Sequence, residues 1–229
     1  MTNTTDSIML RLRSETQDLH TEAEKQPIQQ RMLQGSLPKE FFVDFLCQML
    51  VVHRELESHL RRWRFHDSRF GAVLRDEQFR ERNLIADLEF FGLDVDAAAA
   101  RTVTATRRAA ARISQTAEER PVALLGYHYV LEGSTNGAKF IARGVQKAYG
   151  LEPGPGTTFL DPHGPAQKER WDAFKREMDA LEFTHDEREA IVEAAKDTFR
   201  AMIQICAALD GGSIAKPVRE DAAIDAVVA

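Results

Sequence analysis

Cysteine is nearly absent from this chain. Cys47 and Cys206 are the two among 229 residues, and both lie in apolar helical patterns without a C-x-x-C spacing. That usage excludes a disulfide framework and a zinc ribbon, and fits buried thiols in a reducing compartment. Positive charge is not in excess either: 30 Lys and Arg stand against 36 Asp and Glu, a net charge of -6. A general nucleic-acid binder needs the opposite balance, so small molecules or proteins are the expected partners. No run reaches the roughly 18 apolar residues of a membrane span, and no basic start precedes an apolar core. Neither membrane insertion nor secretion is expected, which leaves a cytoplasmic protein. Convincing strand alternation is also missing.

What is present is helical periodicity over a chain that is 43% hydrophobic, enough for one substantial core. Met9, Leu12, Thr16, Leu19 and Ala23 recur at three and four residues over about 7–26, and Pro27 stops the run. A turn at Gly35-Ser36-Leu37-Pro38 leads into some 25 residues in which Phe42, Phe45, Met49, Val52, Leu56, Leu60 and Trp63 keep the same period. Further helices are read over about 76–91, 96–115, 121–149 and 165–181, and a capping box of Thr184 and Glu187 opens a last one to about Leu209. The pattern predicts one all-α domain over 7–210, a multi-helix bundle, with mobile ends at 1–6 and 211–229.

Inside the fifth of these longer runs, Gly126, Gly133, Gly137 and Gly144 are spaced by seven, four and seven residues. An α-helix stacks them within about 20° on one face. Each interior glycine costs about 1 kcal/mol relative to alanine, so a row of them implies that something comes closer than a Cβ permits. Another helix and a flat ligand are the two candidates.

On the first helix Arg13, Gln17, His20 and Glu24 form a polar stripe beside the apolar one. Glu24, one turn after His20, can hold one ring nitrogen and leave the other for a metal; a surface helix with routine ion pairs has the same pattern. His53 and Glu57, with Glu55 and His59 nearby, are the other cluster of ligand types, and read as a solvated helix face. A diiron centre would need more carboxylates and paired Glu-x-x-His motifs. Arg61-Arg62-Trp63-Arg64 reads as solvated, or as a dock for an acidic electron donor.

Three segments carry a resemblance. Leu19-His20-Thr21-Glu22-Ala23-Glu24 resembles the proximal-histidine segment of the heme oxygenases. Gly133-Ser134-Thr135-Asn136-Gly137-Ala138 is similar to the kinked distal helix of that family. Residues 174–183 and 194–199 resemble its C-terminal helix pair. The likeness spans about 10–209, and Tyr129 to Ser134 is closer to the soluble bacterial branch than to the animal enzymes. The resemblance implies a fold that holds heme b, both cofactor and substrate, between the first helix and the glycine-bearing distal helix. It makes His20 the axial iron ligand, Glu24 its supporting partner, and Gly133, Ser134 and Gly137 the distal site. Arg13 and Lys175 become cations for the heme propionates, Gln17 a neighbour on the same stripe, and Phe199 a pocket wall as well as a core residue. The implied activity is O2-dependent cleavage of heme to biliverdin, iron and carbon monoxide. Electrons would come from a ferredoxin, flavodoxin or reductase, and a monomer is the default. The chain departs from the pattern at Ser134, where many members carry an aspartate that anchors distal water. Glu132 and Asn136 are candidate substitutes, although a structural salt bridge is the favoured reading for Glu132. That departure keeps open a heme-binding or heme-transfer protein without turnover; a nonheme diiron oxidase of the same superfamily is the other alternative.

Overall fold

Polar side chains decide where the helices of this chain begin and break. The computed structural model describes residues 7–211; the expected mobile ends lie outside them, Gly211 excepted. Ser7 caps α1 (Ile8–Glu24) by accepting from Leu10 N, and its hydroxyl donates to Asp179 Oδ1 at 2.8 Å. Asp179 also accepts from Met9 N at 3.0 Å, so a carboxylate from the end of another helix faces the positive end of α1. Ile8, Met9, Leu12 and Thr16 are the buried stripe.

Pro27 does end α1, but it also opens a helix that the sequence reading missed. In α2 (Pro27–Gln34) the proline occupies the first turn, where its absent N–H costs nothing, and Gly35 closes the helix in the left-handed conformation at φ 68°. After it, α3 (Lys39–Trp63) crosses the whole domain, and a short helix, α4 (Ser68–Val73), and a 3-10 turn at Asp76–Gln78 precede α5 (Glu81–Phe90). The single helix expected over 96–115 is two, α6 (Val95–Ala100) and α7 (Thr104–Glu119). The break is held by Gln48 of α3, fully buried. Its Oε1 accepts from Val103 N at 2.9 Å and Thr106 Oγ1 at 2.8 Å, and its Nε2 donates to Arg101 O at 3.1 Å. One amide thus satisfies the backbone groups that the interruption frees.

The glycine-bearing helix is α8 (Leu124–Tyr149), entered by a 3-10 turn at Pro121–Ala123 and closed by left-handed Gly150. The loop behind it is pinned by buried Asp87 of α5, whose carboxylate accepts from Gly156 N, Thr158 N, Thr158 Oγ1 and Phe159 N at 2.6–3.0 Å. Then come α9 (Gln167–Asp179) and α10 (His185–Asp210), the latter opened by the expected Thr184–Glu187 capping box. Helix α10 is the spine of the fold, packing on α8 and α1, while α7 and α5 flank α3. Among the described residues there are ten α-helices and no strand, built around one core, and none of the helices is long and apolar enough to cross a membrane. Both cysteines are free and buried, and burial pushes the Cys47 thiol up to about 12.

Candidate functional site

The polar stripe of α1 faces outward. Arg13, Gln17, His20 and Glu24 are all exposed. His20 Nδ1 lies 3.6 Å from Glu24 Oε2, beyond direct hydrogen bonding. The imidazole is held from the other side by Phe199 of α10, edge to face with centroids 5.6 Å apart. Phe199 is nine-tenths buried and packs in the core while its ring meets His20.

Tyr129 carries α8 across to α1. Its hydroxyl comes near Thr16, one turn before His20; the Thr16 hydroxyl itself donates to Leu12 O at 2.7 Å. Burial lifts the Tyr129 pKa, against the nearby Thr16 hydroxyl and Arg13 charge. Tyr129 also tilts against Trp171 of α9 at 5.8 Å, and Trp171 stacks on Phe174 at 5.4 Å. The indole in turn lies over Gly133: a Cβ there would stand 3.1 Å from its Cη2. Gly137, one turn on, has nothing within 4 Å of its missing Cβ. Contacts thus run from Tyr129 through Trp171 to Gly133, while His20 on α1 meets Phe199 of α10; Gly137 lies open one turn beyond Gly133. Trp171 falls in the helix read over 165–181, where the sequence reading gave it no part in a site.

The other expected residues sit at the margin. Lys175, one turn after Trp171, pairs with Asp172 at 2.8 Å; Lys168 and Lys175 together hold that carboxyl down at about 2. Arg13 forms no ion pair among the described residues, and no contact ties Gln17 to the site. Ser134 is exposed, and its hydroxyl donates to Leu131 O at 2.7 Å. Thr135 donates likewise to Glu132 O at 2.6 Å and Asn136 to Gly133 O at 2.9 Å. Three consecutive side chains bond back to their own helix at this point, and α8 continues through it unbroken.

The reading of His53 and Glu57 as a solvated face is overturned. They are 5% and 2% exposed, and His53 Nδ1 lies 3.2 Å from Glu57 Oε1. Glu57 also accepts from Arg80 N at 2.6 Å and Arg61 Nη2 at 3.0 Å. Burial works against its charge, yet His53 and the backbone donors hold its pKa below the ordinary carboxylate value. Arg80, 2% exposed, donates to Glu132 Oε2 at 2.9 Å and sits 2.7 Å from His163 Nε2. Glu132 is thus a structural salt-bridge partner. Beside it His128 is fully enclosed, and burial pushes its pKa down to about 4. Sequence reasoning missed Arg80 and His163. The available signal was His53, which falls in the apolar stripe of Met49, Leu56 and Leu60.

A heme oxygenase family model matches residues 6–208. Heme oxygenase 2 of Rattus norvegicus is 26% identical over 215 residues, covering 92% of this chain and 68% of its own length. Among solved structures, heme oxygenase-1 of the cyanobacterium Synechocystis, in complex with heme, superposes with a TM-score of 0.82 at 22% identity, covering 90% of this chain and 93% of that one. Heme oxygenase of Leptospira interrogans gives 0.80 at 23% identity, over 87% and 98%. The family match over most of the chain and the shared all-helical fold have one reading: this protein belongs to the heme oxygenase family.

Proposed function

We propose that the chain is a heme-degrading oxygenase with His20 as the proximal iron ligand. The observation that carries this is the pairing of an accessible imidazole, steadied by Phe199, with a neighbouring helix stripped of side chains at Gly133 and Gly137. The residues present fit a porphyrin. His20 Nε2 has no hydrogen-bond partner among the described residues, and the open side of Gly137 leaves room that a side chain would take. Heme b bound here supplies a redox-active iron and is itself the molecule cleaved, to biliverdin, iron and carbon monoxide, with O2 and electrons from an external donor protein.

The protein's share of the work is binding and orientation. Glu24 biases the imidazole toward binding through the nitrogen far from it. Arg13 and Lys175 offer guanidinium and ammonium groups to the two propionates, and Lys175 would exchange its Asp172 contact for that one. Tyr129 reaches from α8 toward Thr16 of α1. Gly133 and Gly137 let backbone approach the porphyrin face. Ser134 carries no charge and spends its proton on Leu131 O, so proton delivery must run through water held by backbone and hydroxyl groups rather than through an adjacent carboxylate. That feature favours, as second reading, a heme carrier without turnover. Among the described residues no three His, Cys, Asp or Glu converge as a metal site, so the diiron alternative lacks a centre to rest on.

The test is to add hemin, record the Soret band, and then supply a reductase, NADPH and O2. Replacement of the Soret band by a biliverdin spectrum with carbon monoxide release supports the oxygenase. A Soret band that persists would sink it in favour of a carrier, and no Soret band at all would remove heme from the reading. His20→Ala should abolish the histidine-ligated spectrum; an unchanged spectrum refutes the ligand assignment.

A further inference from the structure

About 100° round α8 from Tyr129 and Gly133, His128 and Glu132 project one turn apart into the interior. With His53, Leu56, Glu57, Gln78, Arg80 and Leu131 they enclose a cavity of about 10 Å3. Space of that size holds one water molecule and little else. Two residues of its wall each carry a buried nitrogen without a hydrogen-bond partner, Nε of Arg80 and Nε2 of His128. Leaving such groups bare in a protein interior is costly, and native structures seldom do so. The wall also selects the occupant by charge. A cation would meet the Arg80 guanidinium, and an anion would meet the carboxylates of Glu57 and Glu132, both held ionised by their partners. A neutral molecule that both donates and accepts meets neither objection.

We propose that this cavity is a built site for one ordered water, which accepts from Arg80 Nε and bonds His128 Nε2, and that the hydrated Arg80–Glu132–His128 cluster fixes the position of α8 next to Gly133. Four separate parts of the chain converge on it. Arg80 N–H bonds Glu57 of α3, its guanidinium bonds Glu132 of α8 and the carbonyl of Glu77, and His163 comes in from the loop before α9 at 3.3 Å from Glu132. Glu132 immediately precedes Gly133, so any displacement of α8 along its axis breaks the buried pair or opens the water site. Arg80, Glu132 and His128 are therefore positioning residues for the distal backbone. That role rests on the proposed heme reading, but the measurements below need no heme.

In the full-length protein, a high-resolution crystal structure should show one water within hydrogen-bond distance of both nitrogens, and water cross-peaks should reach the His128 ring protons by NMR. A dry cavity overturns the proposal. His128→Phe removes one partner and should abolish the cross-peak; a retained water at the same position refutes the assignment. For the positioning role, Trp171 reports on Gly133 from outside the cluster, and Trp63→Phe leaves it as the one tryptophan. Glu132→Gln, which strands the buried Arg80 charge, should shift the Trp171 emission. Where that variant does not fold, the double change Arg80→Met with Glu132→Leu replaces the pair by apolar groups of similar size, a swap that buried ion pairs often tolerate. The double variant should keep its helical circular dichroism and lose the water while shifting the same emission. An unshifted emission in the folded variant overturns the positioning role.

Discussion

The outer and inner glycines of α8 share one face of one helix and do different things. At Gly126 a Cβ would run into the Ile191 carbonyl oxygen of α10, with Ala194 Cβ and Ala195 N each 3.0 Å away. At Gly144 it would stand 2.5 Å from Met32 O and 2.6 Å from Leu33 O of α2. Those two are closed by backbone, which cannot rotate away. Gly133 is met only by the tip of the Trp171 ring, and Gly137 by nothing. The same sequence signal, a glycine where a helix would prefer alanine, therefore reports helix packing at the ends of the stripe and, in its middle, the open window for which we propose a binding role. The ends hold α8 tightly against α10 and α2.

If that division is right, alanine substitutions should rank by stability in the order in which the neighbours yield. Gly126→Ala is the most severe, because a methyl group there forces α8 and α10 apart; we expect a loss of about 3 kcal/mol or more, measured by urea denaturation of the heme-free protein. Gly144→Ala follows with a loss of about 2 kcal/mol, since α2 is short and can shift with its carbonyls. A Gly126→Ala protein as stable as the parent would break the comparison at its strongest point.

The two ends were legible because helical period and glycine spacing are local properties. So were the long helices, the Thr184–Glu187 cap and the stripe of Arg13, Gln17, His20 and Glu24. What escaped depends on partners distant in sequence. The β-branched Thr102, Val103 and Thr104 weaken a helix near residues 101–103, but they do not announce the break, because Gln48, more than fifty positions away, satisfies the freed backbone there. Pro27 was read as a stop when the same fixed φ also suits a first turn. His53–Glu57 and His20–Glu24 are the same four-residue pair, yet the first is buried beneath Arg80 and the second exposed beside Phe199. Chemical type could not separate them. The apolar stripe could have, since His53 falls in line with Met49, Leu56 and Leu60, whereas His20 lies at the border of its own stripe.

Gly133→Ala probes the boundary between the two behaviours. The new methyl group presses on the Trp171 ring at 3.1 Å, but an indole edge can tilt where a carbonyl cannot. The helix gains about 1 kcal/mol of propensity and gives back a similar amount in displaced packing, so stability should change by less than about 1 kcal/mol. Heme binding is the separate readout. A methyl group projecting from the distal backbone should weaken hemin affinity at least about tenfold, which corresponds to about 1.4 kcal/mol of lost contact. Unchanged hemin titration would move the window away from Gly133.

Gly137→Ala has the smallest expected effect on the fold and is the sharpest test of the window. No described atom lies within 4 Å of its missing Cβ, so the substitution removes the helix penalty of an interior glycine without a clash. Packing alone therefore predicts a protein stabilised by about 1 kcal/mol. If Gly137 faces the porphyrin and a small gas molecule, that same stabilised protein should lose ring-opening turnover, because the added methyl group occupies the open side. Stability and activity must then move in opposite directions. A gain in both would mean that Gly137 borders only solvent and that the opening lies elsewhere on α8. A loss in both would place an unseen backbone contact at Gly137 and make it a packing glycine like Gly126 and Gly144.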